Sequence, residues 1–376
     1  MEKRDIRLDF LRGTALMMIF ADHIPKSLLS LATLQSFAFA DAAELFFFLS
    51  GFVAAMVYGR TLDKRGFLAG AARTWRRAWD IYAAQMVLLF FFVAEVCAIA
   101  SVLPDAGYFQ YFRVNAFITH TETTILQALM LRFQPTYLDI LPVYTVFFGL
   151  LPFILVALKR GPWLVLLASF LLYVGTQLYG WNFSTHPNGE GWFFDPFAWQ
   201  FVMVTGAAFG SGQMDRYKPL LFSRPVVIGS AIIALAAASM QFTNNVHALF
   251  AAVPTLFLID VPMEKTMLEP ARLVSFFAVA ILAARYMPSA ARMARFAVVR
   301  ALACCGRHSL AIFCMGTLLA IPGHVMWLEA GQSLTLQLIF NVAGVLLLIA
   351  TAWLLDWIKE GQRAIVPMPE PERVPA

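Results

Sequence analysis

Apolar runs of about 20 residues, each bounded by charges, Pro or Gly, recur along the whole chain. That length lets an α-helix cross the hydrocarbon core of a bilayer. The runs fall at roughly 10–30, 40–58, 79–102, 138–158, 162–181, 196–213, 225–242, 269–287, 308–327 and 333–358. The pattern predicts an all-α polytopic membrane protein: a bundle of about ten transmembrane helices forming a single domain over 1–360. The remainder, 361–376, is Pro-rich and charged and reads as a disordered tail. Between 104 and 137 the pattern weakens. "ILQALMLRF" is too short to span, so this region reads as an outer-face or re-entrant segment.

Composition sharpens this picture. The 376 residues are 60% hydrophobic and only 14% charged, whereas a soluble domain carries about a quarter charged residues. The net charge of +5 does not point to nucleic acid, because the basic residues sit in short clusters between apolar runs. With a cytosolic N-terminus, all of the 28 Lys and Arg except Lys26, Arg113, Arg132, Lys265 and Arg272 fall on the cytosolic side. The positive-inside rule therefore favours both termini in the cytosol of a multi-pass protein. The basic start, apolar run and "AFA" before Asp41 imitate a secretory signal, but Asp22, His23 and Pro25 interrupt the run, so it reads as a retained span.

Two loops stand out. "NFSTHPNGEGWFFD" (182–195) has a composition suited either to covering a polar ligand or to an ordinary interfacial loop. In 285–307, Arg285, Arg292 and Arg295 are spaced as one face of a basic helix lying on anionic lipid. Cys97, Cys304, Cys305 and Cys314 have no paired spacing and read as packing residues. His120, His186, His247 and His324 are isolated in presumed outer segments, and no metal motif is present in the sequence.

The chemistry-bearing residues crowd the first eighty positions. In "RGTALMMIFADH" (12–23), eleven steps at about 100° return Arg12 and His23 to nearly the same helix face, about 16 Å apart. Ionisable groups within a span cost several kcal/mol unless paired or hydrated, so Asp22 and His23 imply a polar interior, or else His23 merely ends the helix before Pro25. An imidazole beside a carboxylate suits general-base catalysis. Adjacent helix residues point about 100° apart, however, so Asp41 or Glu44 of "DAAELFFFLSGF" (41–52) is as good an orienter as Asp22. Those two carboxylates also read as simply solvated, while Ser50 and Gly51 permit close helix approach. In "ARTWRRAW" (72–79), Arg73, Arg76 and Arg77 share a face at the cytosolic mouth, where with Arg12 they make a seat for phosphates or serve topology alone.

The run "RLDFLRGTALMMIFADHIP" (7–25), with "DAAELFFFLSGF" and the basic cluster after it, resembles the OpgC-type succinyltransferases of osmoregulated periplasmic glucans, within the membrane-bound acyltransferase-3 superfamily. That superfamily has an arginine and a histidine separated by ten residues, matched by Arg12 and His23, and an Arg-x-x-Arg motif, matched by Arg73 and Arg76. The resemblance covers about the first eighty residues, with weaker echoes in "LDILPVY" (138–144) and "GRHSLAIFCMG" (306–316).

The resemblance implies an enzyme of the bacterial inner membrane that takes an acyl group from a cytosolic acyl-CoA, here succinyl-CoA, and delivers it to hydroxyls of a periplasmic glucan or another glycan. The acyl-CoA is a substrate, and no tightly bound cofactor is expected. Arg12, Arg73, Arg76 and Arg77 would bind the CoA phosphates, helped by Arg307 and His308. His23 would act as general base or as a transient acyl carrier, oriented by Asp22, Asp41 or Glu44. Lys26, Arg113 and Arg272 are candidate cations for the distal carboxylate of the succinyl group. Membrane lipid is the expected surround, and the sequence leaves oligomeric state open. Two other readings stay open: acetyl transfer to a different surface glycan or glycolipid, and a secondary transporter or flippase. Against the transporter stands the crowding of informative charges into one end of the chain.

Overall fold

The computed structural model describes residues 5–103, 107–249, 263–331 and 333–365. Its long helices are α1 (Ile6–Asp22), α2 (Ala42–Val102), α3 (Ile140–Arg160), α4 (Pro162–Tyr179), α5 (Pro196–Gly210), α6 (Arg224–Leu249), α7 (Pro270–Tyr286), α8 (Ala297–Arg307), α9 (Ser309–Glu329) and α10 (Leu334–Ile365). Among the described residues there is no strand, only isolated bridges between Phe133 and His186 and between Ser184 and Gly191.

Local chemistry sets the helix ends. The Asp5 carboxylate accepts from the Arg7 backbone N–H to cap α1, and its bond to the Arg7 side chain holds its pKa below the ordinary aspartate value. At α2, Asp41 caps Ala43 N–H while Glu44 accepts from Asp41 N–H, a reciprocal capping box. Pro162, Pro196 and Pro270 open α4, α5 and α7, where a missing N–H costs nothing. The predicted spans 40–58 and 79–102 are the two arms of α2, which breaks at Gly66 (φ 82°, ψ 175°), a left-handed conformation that glycine adopts without strain.

Among the described residues, six helices are long and apolar enough to cross a membrane: Ala42–Val102, Ile140–Arg160, Pro162–Tyr179, Arg224–His247, Ser309–Glu329 and Leu334–Gln362. Phe90, Leu164, Leu171, Ile232, Leu235 and Leu346 point outward, whereas Glu44, Gln85, Thr176 and Asp195 are buried. Apolar side chains outside and polar ones inside are what a lipid solvent selects, and the chain is a membrane protein. α1, α5 and α7, with 17, 15 and 17 residues, are shorter than the sequence pattern predicts. α1 gives way at His23 before Pro25, α5 turns at Gly212 (φ 78°), and α7 stops before Pro288.

Two further expectations change. The basic face expected across 285–307 is not one helix, because the chain is extended at Met287 and only the turn Ala290–Met293 separates α7 from α8. α8 does not lie apart from the bundle: it crosses α1 so closely that a Cβ on Gly13 would meet the Leu302 carbonyl O at 1.8 Å, and one on Gly306 the Asp9 carbonyl O at 1.9 Å. The region after Gly107 forms only the short helices Tyr108–Tyr111, Asn115–Thr119 and Thr121–Leu129, none long enough to span. α10 runs to Ile365, past the expected start of the tail at 361. The rest of that tail, 366–376, lies outside the described residues.

α2 is the trunk of the molecule, packed against α1, α3 and α5. At its crossing with α5, a Cβ on Gly51 would meet the Met203 carbonyl O at 2.0 Å, so the close approach expected at Ser50 and Gly51 is realised. Above that crossing Phe47 packs against Tyr144, Phe147, Phe194 and Trp199.

Candidate active site

Two cavities lie along α1. The first, of about 390 Å³, is lined by Arg12, Arg73, Arg76, Arg77 and Arg307, with Ser50, Tyr58, Tyr144, Ser309 and Phe313 among its other walls. Arg12 comes from the second turn of α1, the three clustered arginines from the second arm of α2, and Arg307 from the end of α8. Arg12 donates to Ser309 Oγ at the start of α9. Arg73 Nη1 donates to Thr61 Oγ1 at 2.7 Å, and its guanidinium lies 5.8 Å from the Tyr58 ring centre. Five guanidinium groups around one opening, with Asp80 the single carboxylate on its described walls, make a seat for a multiply charged anion.

The second cavity, of about 130 Å³, contains the histidine. Its walls include Asp22, His23, Gln35, Asp41, Tyr137, Asp139, Phe194 and Lys265, and Phe313 is common to both cavities. His23 forms the C-cap of α1, its ring stacked on Tyr137 with centres 4.3 Å apart. Tyr137 Oη donates to the His23 carbonyl O at 2.9 Å and lies 3.1 Å from His324 Nδ1. With that donation made, His324 Nδ1–H donates to the tyrosine oxygen. His23 Nδ1 is buried and has no hydrogen-bond partner among the described residues.

The three candidate orienters are engaged elsewhere. Asp22 Oδ1 accepts from Thr33 Oγ1 and Gln35 Nε2, both at 2.8 Å. Asp41 is bound by Lys265 Nζ at 2.7 Å and Arg272 at 3.1 Å. Glu44 is not solvated: it is fully buried and takes a second bond from Arg272, Nε to Oε1 at 2.8 Å. No carboxylate among the described residues bonds the His23 ring. The reason is geometric: Asp22 leaves the helix about 100° round from His23, and the capping box aims Asp41 and Glu44 at α7. Asp22 and Asp41 still line the cavity with His23, so the sequence-derived set converges there except for Glu44, which lies behind the wall.

The expected carboxylate-binding cations separate as well. Lys26 is exposed, Arg113 pairs with Glu190, and Arg272 is taken up by Asp41 and Glu44. Through Asp41, Arg272 sits directly behind a wall of the histidine cavity. His324 is not an outer-segment residue: it is 2% exposed within α9 and anchors Tyr137. In the 182–195 loop, Asn182 holds Trp192 at both its N–H and its carbonyl, and Phe194 is delivered to the cavity wall.

Sequence reasoning missed Tyr137, Asp139, Lys265 and Phe313. Three had a signal, since Tyr137 and Asp139 flank the first residue of "LDILPVY" and Phe313 lies within "GRHSLAIFCMG". Nothing in its neighbourhood marks Lys265.

Cys304, His308 and Asp356 bring one potential metal ligand each within 4.8 Å of one another. Yet Arg307 bonds Asp356, and Lys359 Nζ donates to His308 Nδ1 at 3.2 Å. His308 Nε2 lies 2.6 Å from Asp356 Oδ1. Two cations already satisfy these groups and oppose a third, so the cluster is an ion-pair knot that holds Arg307 at the rim of the arginine cavity.

A family model described as OpgC protein matches residues 4–360. No curated protein and no solved structure matches the chain. The matched stretch contains both cavities and every helix around them, and on that basis the chain belongs to the OpgC protein family.

Proposed function

We propose that this protein is a membrane O-acyltransferase that moves a succinyl group from cytosolic succinyl-CoA to hydroxyls of a periplasmic glucan. Family membership suggests a glucan-modifying transferase. The observation that carries the finer reading is the pair of cavities strung from Arg12 to His23 and meeting at Phe313. An arginine-rich cavity suits the 3′-phosphate and pyrophosphate of CoA, and a smaller chamber with one histidine and several carboxylates suits a thioester meeting a sugar hydroxyl. In this reading the arginine cavity opens to the cytosol and the histidine cavity to the periplasm of a bacterial inner membrane. The bundle then has about ten spans and cytosolic termini, a topology that the positive-inside rule favours.

The reaction runs as follows. His23 takes the proton of the acceptor hydroxyl as its oxygen attacks the thioester carbonyl; the new C–O bond forms, the C–S bond breaks, and the imidazolium returns the proton to the departing CoA thiolate. The pantetheine arm lies past Phe313, and Asp22 and Asp139 accept hydrogen bonds from the sugar. A positioned base is worth about 10²–10⁴ in rate.

The test is transfer of labelled succinyl from succinyl-CoA to a periplasmic-type β-glucan by purified protein in lipid, beside His23→Ala. Transfer is expected with the wild type and a fall of at least about a hundredfold in the variant. A folded wild type that transfers to no glucan, with CoA binding intact, would sink the reading.

A further inference from the structure

Lys265 is the only cation on the described walls of the histidine cavity. Its position is fixed from behind. Trp199 Nε1 donates to the carbonyl oxygens of Lys265 and Thr266, both at 3.1 Å, and Asp195 N–H donates to that of Thr266 at 3.2 Å. Gln177 Nε2 donates to the Met267 carbonyl and Tyr173 Oη to that of Leu268, the latter at 2.9 Å. Every backbone carbonyl from 265 to 268 is thus held by a side chain or backbone group of α4 or of the start of α5. The ammonium group sits 5.2 Å from the Phe194 ring centre and 5.9 Å from that of Phe193. The backbone that carries this lysine is thus fixed, while its side chain can shift the ammonium group from one neighbour to another.

Its partner does not depend on it. Asp41 also holds Arg272 and caps Ala43 N–H, so the carboxylate stays satisfied when Lys265 turns to a ligand. With Asp22, Asp41 and Asp139 on the same walls, an anion finds attraction at this one point and repulsion over the rest of the chamber. The chamber's volume of about 130 Å³ matches a short acyl chain, being about four times the 30 Å³ share of a liquid water molecule.

We infer that Lys265 binds the distal carboxylate of a dicarboxylic acyl group and so selects succinyl over an uncharged acyl group such as acetyl. The inference rests on the acyl-transfer reading and names the residue that reads the donor.

The experiment compares equilibrium binding and transfer of succinyl-CoA and acetyl-CoA by the full-length protein in lipid, for wild type, Lys265→Met, Lys265→Gln and Lys265→Arg. Gln removes the charge and keeps an N–H donor, one bond shorter, and measuring folded Gln protein separates selectivity from folding. Wild type is expected to favour succinyl-CoA in binding by about tenfold or more. Met and Gln are expected to bring the ratio to within about twofold, and Arg to retain most of it. An unchanged ratio in folded Gln protein, or a wild type without preference, overturns the inference. If neither donor yields transfer while the binding preference still collapses in Gln, the carboxylate site stands and the transferase reading falls.

Discussion

His23 is held by an aromatic ring and not by an acid. Stacking on Tyr137, the bond from Tyr137 Oη to the His23 carbonyl and the support of His324 fix the end of α1, while Nδ1 has no partner among the described residues. Tyr137 itself adopts φ 71°, a left-handed conformation uncommon for a bulky residue, kept in place by the packing around it. Tyr137→Phe retains the ring and loses the hydroxyl with both its hydrogen bonds, at about 1 kcal/mol for each neutral bond. We expect kcat to fall about threefold to tenfold at unchanged KM for acyl-CoA, measured by initial rates at saturating glucan. Tyr137→Leu, which also loses the stacking, should fall further; equal activity in all three proteins would remove Tyr137 from the site.

At the scale of elements, the arginine and histidine cavities depend on how closely helices cross. A methyl on Gly13 would collide with the Leu302 carbonyl of α8, a backbone atom that cannot swing away, whereas one on Gly59 would meet nothing within 4 Å. Gly13→Ala should therefore lower the thermal midpoint in detergent by several degrees and displace Arg307, raising KM for acyl-CoA. Gly59→Ala should leave the midpoint level or raise it, since Ala is favoured over Gly in a helix by about 1 kcal/mol. The order of these midpoints, read by a fluorescence melt, checks the crossing. The closeness at Gly51 was foreseeable from its Ser-Gly context. The closeness at Gly13 was not, because α8 read as a surface helix on lipid.

For the whole molecule, charge is segregated along the two-cavity axis. Arg73 and Arg76 are exposed at the rim, where single contacts are weak and screened by salt. The double change Arg73→Ala with Arg76→Ala is expected to raise KM for acyl-CoA about tenfold with kcat nearly kept, and the gap between mutant and wild type should narrow in high salt. Substrate-saturation curves at two ionic strengths decide this. The proposed topology is tested along the same axis. In a chain whose own cysteines are replaced, Lys64→Cys should react with a membrane-impermeant maleimide only after the cells are opened, and Glu190→Cys in intact spheroplasts. Labelling in the reverse order would invert the molecule.

Local sequence was enough to specify the solvent and to put the candidate site residues on shared helix faces. Long apolar runs admit one regular structure in lipid, the helix, because a backbone without water must bond within itself. Helical periodicity alone placed Arg12 in line with His23, and Arg73, Arg76 and Arg77 on one face. Tertiary structure decided the partners. Asp41 and Glu44 turn from His23 to Arg272 across 231 and 228 positions of sequence, and Lys265 and Tyr137 arrive at the same small chamber from separate segments, with His324 behind Tyr137. Local spacing cannot encode such meetings, since hydrogen bonds and ion pairs between distant segments form only when packed helices bring them within about 3 Å.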